Sequence, residues 1–181
     1  MKTSSCFTTW PVLFTTIAFV ALGCIVASAQ TQTNQVRVGV YDSRAIAVAW
    51  ANSSEFKEVM KSVAADHKKA KEAKNDRRVK EIESRMQLQQ RRAHEQGFST
   101  GSVAPIMEKI KAQLPDIAKQ ADVQIIVSKW ELNYHSAAIE VVDVTDRLVA
   151  LFDVSERGLK WCKEIQQKPP VPIEQITEHM D

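Results

Sequence analysis

Forty consecutive residues, Phe56 to Glu95, contain neither glycine nor proline. A run of this length sustains many turns of helix and offers no internal stop signal. Apolar residues fall along it in two sets: Phe56, Val59, Met60, Val63, Ala70 and Ala73, then Val79, Ile82, Met86 and Ala93. Each set has heptad-like spacing. The two are out of phase, because extending the first would place apolar side chains at positions now held by Arg77 and Lys80. The register slips within Lys74-Asn75-Asp76-Arg77-Arg78. Such a slip marks either a tight turn between antiparallel helices or a discontinuity in one long helix. Both remain open on sequence grounds.

The flanks of this run are of different character. Val36, Val38 and Val40 alternate with Arg37, Gly39 and Tyr41, which predicts a half-buried strand at 36–41. Asp42 and Ser43 suit the cap of a short helix reaching about Trp50. Asn52 followed by Glu55 resembles a capping box opening the long helical segment. After the Gly97–Ser102 break, Ser102 suits a cap and Pro105 is tolerated in the first turn that follows. The next helix carries a wide apolar stripe of Val103, Ile106, Met107, Ile110, Leu114, Ile117, Ala118 and Ala121, and Pro115 predicts a kink in it. Val123–Val127 is rich in β-branched residues and reads as a second strand; Ile139, Val141 and Val142 form a third. Asp143 and Asp146 open a helix carrying Leu148, Val149, Leu151 and Phe152. A last helix is predicted over 155–166, and Lys168–Pro172 ends it and begins a tail.

The N-terminus reads as an address. Lys2 precedes an apolar run from Pro11 to Val26, and Ala27-Ser28-Ala29 follows. This is the pattern of a secretory signal peptide cut after Ala29, and the run is shorter than a bilayer span requires. A weaker alternative uses Ala21-Leu22-Gly23-Cys24 as a lipoprotein site. Cleavage after Ala29 removes Cys6 and Cys24, leaving Cys162 alone and no intrachain disulfide. Cys162 then reads as a small, partly buried helix residue, with pairing between chains or a free thiol as the alternatives. Cleavage also removes one lysine and no acid, so 23 basic residues face 22 acidic ones. That near balance, with no recognition motif, speaks against a nucleic-acid partner.

The order strand, long helical excursion, strand, strand, helix gives an α+β fold. Three short strands make a sheet too small to bury both its faces, so helices cover one, and further copies of the chain suit the rest. The organisation is therefore a signal peptide at 1–29, a leader at 30–35, a sheet hub from 36–51 and 122–152, a helical arm at 52–121, and a C-terminal helix and Pro-rich tail at 153–181. Within the hub, Val36, Val38, Val40, Ile125, Val127 and Val141 are the residues expected to join copies.

Three strings in this order resemble the OmpH/Skp family of periplasmic chaperones. Val38-Gly39-Val40-Tyr41-Asp42-Ser43-Arg44, continued by Ala45 and Ile46, is similar to the family's first strand and its turn into a helix. Ala121–Val127 followed by Leu132-Asn133-Tyr134 is similar to its return strand. Val142-Asp143-Val144-Thr145-Asp146-Arg147-Leu148 is similar to the opening of its last helix, and is the most specific of the three. The resemblance spans about 36–152. It implies a homotrimer: three small sheets form a hub, and helical hairpins or coiled-coil arms project around a cavity that holds unfolded outer-membrane proteins without ATP. The segment after Phe152 is an extension with no counterpart in that plan.

The arm is the natural binding surface. Over 57–95 it carries twelve Lys/Arg and seven Asp/Glu. Such a basic, amphipathic arm attracts an acidic unfolded chain or an anionic membrane surface. The contact candidates are Met60, Val63, Val79, Ile82 and Met86, with Arg77, Arg78 and Arg85. The competing reading makes the charges a solvated coiled-coil face stabilised by pairs such as Glu81–Arg85. Chemistry has little to build on. His67, His94, His135 and His179 show no ligand spacing, and no nucleophile or phosphate-cradle motif is present, so no catalytic residue, cofactor or metal is expected. Asp42, Asp143 and Asp146 sit where helix caps belong. Trp50, Trp130 and Trp161 read as hub packing. The expected function is an exported, ATP-independent holdase in the periplasm. The alternative is a structural envelope adaptor that presents the same hub and arms to a folded partner.

Overall fold

The structure is a computed structural model and describes residues 35–178. The signal-peptide and lipoprotein expectations for the N-terminal segment, and His179, lie outside the described residues. The chain is mixed α+β. In order it forms β1 (Arg37–Tyr41), α1 (Ser43–Asn52), α2 (Ser54–Glu72), α3 (Asp76–Phe98), α4 (Ala104–Met107), a 3₁₀ turn (Glu108–Gln113), α5 (Leu114–Ala121), β2 (Ile125–Ser128), β3 (Glu140–Asp143), α6 (Thr145–Val149), α7 (Glu156–Gln166) and α8 (Ile173–Glu178). None of the described helices is long and apolar enough to cross a membrane.

The three strands form one sheet in the order β2-β1-β3, and both pairings are parallel. Val38 lies beside Ile125 and Val141, and Val40 beside Val127 and Asp143. Side chains alternate along a strand, so Gly39, Tyr41, Ile126, Ser128 and Val142 share one face and Val38, Val40, Ile125, Val127 and Val141 share the other. The first face joins the hydrophobic core, where Tyr41, Ile126 and Val142 meet Ala45, Ile46 and Ala49 of α1, Val103 to Val123, and Val144 to Phe152. None of the five residues on the second face belongs to that core. Val36 was expected within the strand but precedes it, exposed.

The long helical run is a hairpin, which settles the open choice. Ala73 ends α2, Lys74 takes a left-handed φ of 52°, and Asn75 caps α3 by accepting from the Arg78 amide at 3.0 Å. His67 then meets Glu83 at 3.0 Å, and Gln89 reaches Met60 Sδ at 3.7 Å, so the helices run antiparallel. At about 1.5 Å per residue, α2 is about 28 Å long and α3 about 34 Å. Ser53 caps α2, accepting from Phe56 N at 3.1 Å. Asn52, the expected cap, folds back onto the Val48 carbonyl instead.

Three expected boundaries move. Gly97 does not stop α3, which runs to Phe98; the break needs Gly101, where an added Cβ would lie 2.9 Å from the Glu95 carbonyl. Residues 103–121 do not lengthen the arm. Pro115 starts α5 rather than kinking a single helix, because it fits the first turn, where its missing N–H costs nothing. Val103, Ile106, Ile110, Ile117 and Ala121 face the core, so this segment packs with the sheet and α1, and the helical hairpin spans 54–98. The expected C-terminal tail contains α8. Val171 donates to the Phe98 carbonyl at 2.8 Å, and α8 packs on α3 with Ile176 buried. Ahead of it, α7 docks along α1.

Candidate functional site

The hairpin leaves most of its surface to solvent, because two helices alone can bury only the seam between them. Ala70 and Ile82 are its buried apolar residues. Ile82, at 4% exposure, is therefore a seam residue and, contrary to expectation, offers no surface for contact. Met60 and Met86 do come together, in a cleft of about 520 Å³ shared with Phe56, His67, Glu83, Gln89 and Ala93. Val63 and Val79 are half-buried. Val59 and Leu88, at 43% and 50% exposure, present more apolar surface than either. Leu88 lay outside both apolar sets and carried no periodic signal. Arg77 and Arg85 are exposed and form no ion pair among the described residues, whereas Arg78 pairs with Glu81 at 2.9 Å. The expected Glu81–Arg85 pair gives way to this one.

A second cleft, of about 560 Å³, opens where the hairpin base meets α1 and α7. Trp50, Phe56, Phe98, Trp161 and Ile165 line it, with Arg92 and Lys168 among its polar members. Phe56, Gln89 and Ala93 belong to both clefts, so one apolar track runs from the base into the arm. Trp50 is held edge-on to Phe56 and Phe152 at 5.7 and 6.4 Å, under the Lys109 ammonium at 4.3 Å. Trp161 is 39% exposed, so it is cleft wall rather than buried packing. Sequence pattern missed this cleft, because its walls come from three segments far apart in the chain.

At the hub, Val38 and Val40 are buried in the central strand, Val127 and Val141 are half-buried, and Ile125 is 50% exposed. The strand edges are locked by charge. Arg37 forks onto Glu140 of β3 at 2.8 and 2.9 Å and reaches Asp122, ahead of β2, at 2.8 Å. The hydrogen bonds from Arg37 hold the Glu140 carboxyl below the usual range. At the end of β1, Asp42 caps α1, pairs with Arg44 and Lys129 at 2.8 Å each, and accepts from Trp130 Nε1 at 3.3 Å. Burial alone would raise the Asp42 pKa, but the hydrogen bonds from Arg44 and Lys129 outweigh it and hold it down. A carboxylate committed this fully is structural. Asp143 precedes the α6 cap, which is Val144, and accepts from the Thr145 amide at 2.8 Å, while Asp146 lies within the first turn of α6 rather than capping it. Cys162 is buried with its thiol 3.5 Å from the Ala45 carbonyl, and burial raises its pKa to about 11. The described histidines are separate: His67 on Glu83, His94 edge-on to Phe98, and His135 on the Ser136 carbonyl.

The fold and this surface define a mixed α+β protein with a three-stranded parallel sheet and a basic, solvent-exposed helical hairpin. No family model, curated protein or solved structure matches the chain.

Proposed function

We propose that the protein is a non-enzymatic, nucleotide-independent holdase that is exported to the periplasm, assembles as a trimer, and binds unfolded envelope and outer-membrane proteins along its hairpin arms. The observation that carries this reading is the hairpin itself. It combines a surplus of cations with an open cleft walled by Phe56, Met60 and Met86, and nothing in the hub seals it. Cations draw in an acidic unfolded chain at long range, and flexible methionines then accept many different apolar side chains. Each contact is weak and exchanges quickly; several arms in one assembly raise the total affinity. The same cations suit an anionic membrane surface.

The trimer gives the second sheet face its cover. Ile125, Val127 and Val141 form an apolar surface that a monomer leaves partly wet, and burial in an assembly gains about 25 cal/mol per Å². Ile125→Asp is the clean test of this cover, because Ile125 is already half-exposed and the substitution spares the monomer fold. Light scattering should show a trimer that this change dissociates.

The functional test is aggregation of a urea-unfolded β-barrel protein diluted into buffer without nucleotide. Equimolar trimer should suppress it, and Met60→Gln with Met86→Gln should weaken the suppression while leaving the helical signal intact. A chain that stays monomeric at micromolar concentration, or that leaves aggregation unchanged, counts against the reading.

A further inference from the structure

We propose that the basal cleft between α1, the foot of α3 and α7 is a binding site for a long-chain monocarboxylate, such as a fatty acid. This does not rest on the holdase reading: the cleft lies at the base of the hairpin, where α1, α3 and α7 converge, and its occupant is a small amphiphile rather than an unfolded chain. Its volume of about 560 Å³ falls in the range of small-ligand sites, which run from about 300 to 1,000 Å³. Its walls are apolar: Trp50, Phe56, Phe98, Trp161, Ile106 and Ile165.

The polar groups decide what kind of apolar ligand fits. Asn52 donates its amide to the Val48 carbonyl, Gln96 to the Ser102 carbonyl, and Gln89 to Met60 Sδ. Glu164 leans toward Lys160 at 3.8 Å. The walls are helices, whose backbone groups are bonded internally. The N–H and C=O groups of an extended peptide laid here would therefore meet only scattered side-chain atoms, such as the Asn52, Gln89 and Gln96 amide oxygens, and no ladder of backbone partners. A hydrocarbon chain has no such groups. The charged members of the lining are Glu164, turned toward Lys160, and Arg92 and Lys168, which are exposed and form no ion pair among the described residues, so positive charge is in surplus. An apolar trough with two uncommitted cations complements a ligand with a hydrocarbon body and a single anionic end.

Equilibrium dialysis of the purified protein against palmitate, held below its micellar concentration, tests this. Saturable binding of one palmitate per chain is expected. Cetyl alcohol, with the same chain and no charge, should bind at least about tenfold more weakly, a difference of about 1.4 kcal/mol. Arg92→Gln with Lys168→Gln should weaken palmitate by a similar factor. Ala51→Trp, at an exposed position lining the cleft, should block binding while leaving the circular dichroism spectrum unchanged. Non-saturable uptake, equal binding of the alcohol, or palmitate binding that survives both sets of substitutions would overturn the assignment. So would displacement of palmitate by an unfolded acidic polypeptide at comparable concentration, which would make the cleft a peptide groove.

Discussion

Arg44 Nη2 meets Asp42 Oδ2 at 2.8 Å with both side chains shut off from solvent. Two residues apart in the chain, they close the turn from β1 into α1, and Asp42 supplies the buried counter-charge that Arg44 needs. Arg44 Nη1 finds no hydrogen-bond acceptor, yet the guanidinium lies 4.9 Å from the Trp130 ring centre. Without the Asp42 charge, Arg44 would be a buried cation with only a ring beside it.

Asp42→Asn is therefore expected to destabilise the fold by about 3–5 kcal/mol, the usual cost of orphaning one member of a buried pair. Pairing it with Arg44→Met should recover a large part of the loss, since both charges then leave together. Denaturant midpoints of the two single variants and the double variant provide the check. A double variant as unstable as the sum of the singles would show that the two residues act separately.

The same carboxylate sets an acid limit. Its pKa in the folded protein lies below the ordinary 3.8, so it contributes stability above that value and loses it as pH falls through the lowered one. Glu140, held below its ordinary 4.5 by Arg37, acts in the same direction but is more exposed and contributes less. Unfolding midpoints should change little through these groups above about pH 5 and drop below about pH 4. Asp42→Asn should flatten that acid slope more than Glu140→Gln does.

Cys162 should be chemically quiet. Its thiol is raised to about 11, and the reactive thiolate is scarce at neutral pH. In a background carrying Cys6→Ser and Cys24→Ser, iodoacetamide at pH 8 should label the native protein more than about tenfold more slowly than the unfolded one. Equal rates would mean that α7 spends much of its time undocked from α1.

At Gly158 the start of α7 leaves no room for a side chain. A Cβ added there would collide with Val154 Cγ1 and lie 3.0 Å from Asn52 Cβ. Gly158→Ala should cost about 1–3 kcal/mol through this overpacking, even though alanine favours helix. A melting temperature that rises instead would show that the α7 start yields freely.

Much of the local structure was legible in the sequence. The alternation at Val38 and Val40 marks β1, Asp42 announces its cap, and the slip at Lys74–Arg78 marks the hairpin tip. These features depend on neighbours a few residues away, where φ/ψ preference and hydrogen-bonding capacity decide the outcome. The adjacent capping error has the same scale: Asn52 and Ser53 compete for one helix start, and Ser53 has it because Asn52 is drawn back to Val48.

The sequence by itself determined the three strands, the helices from α1 to α3 and the helix at 156–166, and the placing of cations along the exposed hairpin. Only the tertiary structure decided that the 103–121 stripe faces the hub, that Ile82 is buried while Leu88 is not, and that Trp50, Phe56 and Trp161 share one cleft. The reason is range. An apolar stripe states that a face will be buried, but the partner that buries it is chosen by the packing of segments a hundred residues apart, as between Cys162 and Ala45.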